Sequence, residues 1–215
     1  MRTAPSTHLE TELWNSGFAC LVGLDEAGRG ALAGPVFAGA VVLPDHPSEL
    51  MQLSELVNDS KQLTARARGR AFEAIGRYAQ CAAVGTASNE EIDELGIAAA
   101  TRLAWCRALA KVEAADYLLL DAFRLPESDL PQRAIVHGDA LCLSIAAASV
   151  LAKVARDAHM AEVAASEPRY GFERNKGYGT REHLGALSEH GPCSLHRWSF
   201  VPVRQPPLHM PVASR

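Results

Sequence analysis

The sequence is short of staples and anchors. Its five cysteines, Cys20, Cys81, Cys106, Cys142 and Cys193, are odd in number, widely spaced and free of any CxxC pair. Neither a zinc site nor a disulfide framework is indicated. Three of them sit in apolar surroundings, where a reduced thiol behaves as a small hydrophobe. No stretch of 18 uncharged apolar residues occurs, which argues against a membrane-spanning helix. Met1 to Asn15 lacks the apolar core of a signal peptide, so a cytoplasmic protein is expected. Net positive charge is lacking too: 21 Lys and Arg stand against 25 Asp and Glu, a formal charge of −4. That excludes a generic polyanion sponge but not a nucleic-acid enzyme, because charge can be arranged locally.

What is present is an ordinary globular mixture, 48% hydrophobic and 21% charged over 215 residues. Disorder as the main state is excluded, and one compact domain large enough to bury a core is expected. The charge is uneven. Residues 169–215 carry seven basic and three acidic side chains, and Lys61, Arg66, Arg68, Arg70 and Arg77 form a second basic cluster. A solvated helix face is the plain alternative for that cluster.

The apolar runs Phe18 to Leu24, Pro35 to Leu43, Gln80 to Ala87, Tyr117 to Leu120 and Ala134 to Val136 read as strands. Leu63 to Ala79, Ile97 to Val112 and Leu141 to about Ala165 read as helices, with Ser88 capping an acid-rich first turn before the second of these. After Pro168 the chain becomes irregular. This order predicts a mixed sheet, antiparallel early and parallel later, with helices packed on it. Loosely organised ends are expected at residues 1–15 and 204–215, flanking one domain over residues 16–203.

Two features compete for the chemistry. Gly28-Arg29-Gly30-Ala31-Leu32-Ala33 formally fits the dinucleotide fingerprint. However, Asp25 and Glu26 would repel a pyrophosphate, and Pro35 leads into a strand where a phosphate-binding helix is required. The alternative makes the acids the active feature. Asp25 and Glu26 end an apolar run, Asp121 ends YLLLD, and Asp139 follows a short apolar segment. Buried acids are costly unless paired or bound to a cation, and strand ends on one sheet edge converge. Oxygen donors of this kind suit Mg²⁺ or Mn²⁺, and two such ions can drive phosphodiester hydrolysis. Each acid also has a plain structural use: Asp139 as a helix cap, Asp121 as a turn residue, and Asp25 or Glu26 as a partner of Arg29.

Longer motifs now carry a resemblance. Gly23-Leu24-Asp25-Glu26-Ala27-Gly28-Arg29-Gly30 with Ala33-Gly34-Pro35-Val36 resembles the opening signature of the type 2 ribonucleases H. Asp59-Ser60-Lys61-Gln62-Leu63 is similar to their D-S-K-x-L segment. Gly138-Asp139 and the run from Ser144 to Asp157 resemble their most recognisable helix. Asn175 to Thr180, Glu182-His183 and Gly191 to Phe200 extend the match to most of the chain.

The resemblance implies an RNase H-like fold, a mixed five-stranded sheet flanked by helices with a short helical or irregular C-terminal region. It implies cleavage of the RNA strand in RNA–DNA hybrids, and incision at single ribonucleotides in duplex DNA, by a monomer. It places four ligands for Mg²⁺ or Mn²⁺ on Asp25, Glu26, Asp121 and Asp139; Ala122 stands where the family often has Gly. It assigns sensing of the 2′-hydroxyl to Gly28, Arg29 and Gly30, stacking near the RNA–DNA junction to Tyr178, and phosphate contacts to Ser60 and Lys61. Lys153 is ambiguous between phosphate and solvent. His183 and His196 fall inside matched motifs without a derivable role, so packing is expected of them. Asp157, about 27 Å along an unbroken helix from Asp139, is expected to be structural and paired with a neighbouring Arg. Another nuclease of this fold, or a non-catalytic hybrid-binding protein, are the rival readings.

Overall fold

The computed structural model describes residues 4–57 and 64–205. Its elements run α1 (His8–Asn15), β1 (Leu21–Ala27), β2 (Val36–Val42), α2 (Pro47–Leu56), α3 (Ala65–Tyr78), β3 (Cys81–Ala87), α4 (Asn89–Leu95), α5 (Ile97–Leu109), β4 (Tyr117–Asp121), β5 (Gln132–Ile135), α6 (Gly138–Leu141) and α7 (Leu143–Val163). A 3₁₀ turn at Pro168–Tyr170 follows, then α8 (Phe172–Asn175), α9 (Arg181–His190) and α10 (Val201–Arg204). The five strands form one sheet in the order β3-β2-β1-β4-β5. β1 pairs antiparallel with β2 and parallel with β4, so the expected mixed sheet is present.

The two sheet faces are covered by different helices. Val22, Leu24, Leu118 and Leu120 meet Ala104, Trp105 and Ala108 of α5 in one core cluster, while Val41 joins Ala147, Ala148 and Val150 of α7 in another. Burial on both faces explains why β2 reads as a continuous apolar run and not as an alternation. Helix α7 lies very close to the sheet. A Cβ on Gly23 would stand 2.3 Å from the Ser144 carbonyl carbon, and one on Gly39 would stand 2.2 Å from the Ala148 oxygen. Ala146, Ala147, Ala148 and Ser149 are all buried in this contact, as their small size suggests.

Three sequence expectations change. The N-terminal segment is not loose from His8 onward: α1 packs Leu9, Leu13 and Trp14 against Leu21, Leu119 and Ile145. Its fully buried Glu10 accepts a hydrogen bond from the Ser144 amide at 2.8 Å, capping α7 from outside the helix. Second, the helix expected from Leu141 to Ala165 breaks at Cys142, which is extended and bridges to Ser6. Asp139 therefore sits on the separate turn α6, and the unbroken helix expected between it and Asp157 is absent. Third, Pro47–Leu56, unassigned from sequence, is a helix. Ser88 forms a full capping box with Glu91, as the acid-rich turn suggests.

Candidate active site

Two acids enter on neighbouring strands. Leu24 pairs with Leu120 across the parallel β1–β4 ladder, so Asp25 and Asp121 stand level one step further on. Asp25 is only 4% exposed and points at α7; its Oδ1 accepts from the Glu26 amide at 2.7 Å, and it also accepts from Ser149. Burial, then Glu26, then Asp121 hold its carboxyl well above the usual carboxylate range. Glu26 lies 3.5 Å from the Arg29 guanidinium, so that pairing is real, and Arg29 also rests 4.7 Å over the Phe123 ring.

The remaining acids are joined through the backbone. Asp121 Oδ1 accepts from the Gly138 amide at 2.8 Å, which brings the buried Asp139 to the same sheet edge. His137, not Asp139, is the residue preceding α6, so Asp139 is no N-cap. Ala122, where the resembled family often has Gly, adopts φ 62°, a left-handed conformation that Gly takes without strain. Asp25, Glu26, Ala27, Gly28, Arg29, Gly30, Arg68, Asp121, Ser149, Lys153 and Tyr178 line one cavity of about 490 Å³; the buried Asp139 is not part of that lining. β1 leads through a glycine turn into β2 and not into a helix, which removes the dinucleotide alternative.

This donor set suits a hard divalent cation. It is all carboxylate oxygen, and its central acid is raised by burial and then by its acidic neighbours, a cost that a cation would relieve. Among the described residues no group of three or more His, Cys, Asp or Glu side chains is already spread at metal-ligand geometry. The Asp25 and Asp121 oxygens are engaged by protein amides, so a cation would have to displace or share those bonds.

Tyr178 faces the cavity with two cations on its ring, Lys153 at 5.4 Å and Arg156 at 5.2 Å. Asp157 pairs with Lys153 at 2.8 Å, so its partner is a lysine one turn away and not the expected arginine. Of the basic cluster, Arg68 reaches the cavity, while Arg66, Arg70 and Arg77 are exposed. Ser60 and Lys61 lie outside the described residues.

His183 and His196 are both fully buried, with their Nε2 atoms 3.0 Å apart. The Cys193 amide donates to His196 Nδ1 at 3.0 Å, so His196 carries its proton on Nε2 and donates to His183. His183 then donates from Nδ1 to the Tyr178 carbonyl at 2.9 Å. Burial, then the neighbouring His183, pushes His196 down to about 4, and burial also lowers His183. The pair is a neutral strut behind Tyr178. Sequence reasoning also missed the use of Ser149 as a donor to Asp25, because the AAAS run reads as packing alone.

A mixed five-stranded sheet, acids at adjoining strand ends and a helix sealing one face define an RNase H-like nuclease. Solved structures agree on the fold. The ribonuclease H2 of Pyrococcus horikoshii OT3 superposes with a TM-score of 0.71 at 23% identity, covering 87% of this chain and 96% of that one. The Bst ribonuclease HIII, solved in complex with Mn²⁺, gives 0.61 at 17% identity, covering 86% and 68%.

Sequence similarity is closer. A model of the ribonuclease HII family matches residues 22–203. Ribonuclease HII of Desulfitobacterium hafniense (strain DSM 10664 / DCB-2) is 50% identical over 197 residues, 91% of this chain and 74% of the relative. That of Chloroflexus aggregans is 48% identical over 201 residues, 93% and 95% of the two. The chain belongs to the ribonuclease HII family, divalent-metal-dependent nucleases that cleave RNA in RNA–DNA hybrids.

Proposed function

We propose that the protein incises at single ribonucleotides embedded in duplex DNA as well as within longer RNA–DNA hybrids, leaving 5′-phosphate and 3′-hydroxyl ends. Asp25, Glu26, Asp121 and Asp139 hold two divalent cations, Mg²⁺ or Mn²⁺, which when bound activate water and stabilise the leaving oxygen. Ser149 and the Glu26 amide orient Asp25. The Gly28-Arg29-Gly30 turn reads the 2′-hydroxyl, the one group that marks RNA against DNA. Tyr178 stacks near the RNA–DNA junction, with Ser60, Lys61 and the cavity-lining Arg68 and Lys153 as phosphate contacts.

The observation that supports this reading most is the shared cavity: three acids, the glycine turn and Tyr178 line one space. Carboxylates facing a phosphate backbone would weaken binding unless cations neutralised them, which disfavours a purely binding protein. We further propose that the enzyme acts as a monomer in the cytoplasm, in the removal of ribonucleotides from DNA; among the described residues no helix is long and apolar enough to cross a membrane. The test is purified protein in Mg²⁺ with a DNA duplex carrying one ribonucleotide and the same duplex in all-DNA form. Incision of the first alone is expected, and equal cutting of both would refute ribonucleotide recognition.

A further inference from the structure

Two arginines lie wholly buried behind the glycine turn, and no described carboxylate forms an ion pair with either. Arg156 and Arg197 are each 0% exposed. Arg197 donates to the carbonyls of Gly28 at 2.8 Å, Arg29 at 3.0 Å and Gly34 at 2.9 Å. Arg156 donates to those of Ala33 at 3.1 Å, Pro35 at 3.0 Å and Lys176 at 2.9 Å. Six carbonyls, five of them from residues 28–35, therefore converge on two guanidiniums. Burying two neighbouring cations is costly, and main-chain dipoles supply the compensation.

Such carbonyl capture fixes the other side of the loop. In a trans peptide the N–H points opposite to the C=O. With the Gly28 and Arg29 carbonyls drawn toward Arg197, the amides of Arg29 and Gly30 turn away from it, and these residues line the cavity. Arg156 also spans to the second recognition element, since it holds the Lys176 carbonyl and lies 5.2 Å from the Tyr178 ring.

The two glycines of the turn then have different jobs. A Cβ on Gly28 would stand 1.8 Å from Arg156 Nε, and its φ of +90° is itself a glycine conformation. Gly28 makes room for the buried arginine. A Cβ on Gly30 would meet nothing within 4 Å. Nothing in the fold demands glycine there, and its missing side chain leaves the loop open to whatever approaches from outside.

We propose that Arg156 and Arg197 are positioning residues, which hold residues 28–35 by their carbonyls, turn the Arg29 and Gly30 amides toward the cavity, and lock that loop to Tyr178 as one recognition unit. The proposal deepens the functional reading above and rests on it.

Steady-state kinetics on the single-ribonucleotide duplex test it, for wild type, Arg197→Met, Arg197→Lys and Gly30→Ala, with Leu53→Val as a remote core control. Arg197→Met is expected to lower kcat/KM at least tenfold at temperatures where circular dichroism shows it folded, mainly through a raised KM. Arg197→Lys, which keeps the charge but cannot fork to three carbonyls, should fall between. Leu53→Val should keep the wild-type KM, and Gly30→Ala should keep the wild-type Tm while losing kcat/KM. A folded Arg197→Met with kcat/KM within twofold of wild type overturns the proposal. If Arg197→Met does not fold, Arg197→Lys decides: a KM raised severalfold supports positioning, and an unchanged KM refutes it. Failure of the wild type to prefer the ribonucleotide duplex would instead sink the functional reading.

Discussion

Replacing Asp25 by Asn should make the metal-free protein more stable while disabling it. Asp25 is nearly inaccessible, and Glu26 and Asp121 crowd the same space, so its negative charge is opposed by burial and by two like charges. Two hydrogen bonds, from the Glu26 amide and from Ser149, offset part of this. An uncompensated buried charge costs several kcal/mol, and each bond to a charged group returns about 1.5–3 kcal/mol, which leaves a net penalty of about 1–3 kcal/mol. Asn keeps an oxygen acceptor for the Glu26 amide and carries no charge. For a chain of this length that corresponds to a Tm rise of about 2–12 °C.

The pH dependence follows with a definite sign. Because the folded carboxyl is raised above its unfolded value, wild-type folded protein takes up a proton as pH falls, and the penalty is relieved in acid. The advantage of Asp25→Asn is therefore larger at pH 7 than at pH 4, where it shrinks. Added Mg²⁺ should narrow it too, since a ligand bound only by the folded state stabilises the protein that binds it better. Thermal melts in EDTA at pH 7 and pH 4, and again with Mg²⁺, measure all three arms. A Tm for Asp25→Asn below that of wild type at pH 7 in EDTA would refute the reasoning.

Three further outcomes follow from the packing. The buried histidine pair has lowered folded pKa values, so the unfolded chain binds more protons below about pH 6.5 and stability falls with pH down to about 4. For His196 this amounts to about 3 kcal/mol, checked as a slope that is shallower in His196→Gln than in wild type in pH-dependent urea unfolding. Gly39→Ala would press a methyl against the Ala148 carbonyl and should cost about 1–3 kcal/mol or more by displacing α7; an unchanged urea midpoint would contradict the packing. Tyr178→Phe keeps the ring between Lys153 and Arg156 and should retain most cleavage, while Tyr178→Ala should lose tenfold or more in kcat/KM; equal losses would argue against a stacking role.

Local pattern carried much of the fold. The five apolar runs became the five strands, and the capping signal at Ser88 and Glu91 is satisfied in full. The small residues of α7 and Gly23 and Gly39 of the sheet are two halves of one close contact. What was hidden depends on partners far apart in the chain. The break at Cys142 interrupts a run of good helix formers because Ser6 bonds on both sides of it, to the Leu141 carbonyl and the Leu143 amide. Helix α1 is anchored by a carboxylate that caps a helix 134 residues away. In the same way, Arg156 looks like an ordinary helix arginine and Arg197 like one of the basic C-terminal stretch, and only the fold reveals that both are buried under the turn. The acids were legible because motif and strand position agreed, whereas the backbone link from Asp121 to Gly138 was not.

The most direct test of the acids as one metal-dependent site is Mg²⁺-dependent incision of the single-ribonucleotide duplex by Asp139→Asn beside wild type, with hybrid binding measured on the same preparations. Asp139 is the one acid of the four that does not line the cavity, so its loss probes whether all four act together. Cleavage reduced by about 10²-fold or more, with binding still detectable, is the expected result. Turnover within a few-fold of wild type would contradict the four-acid site.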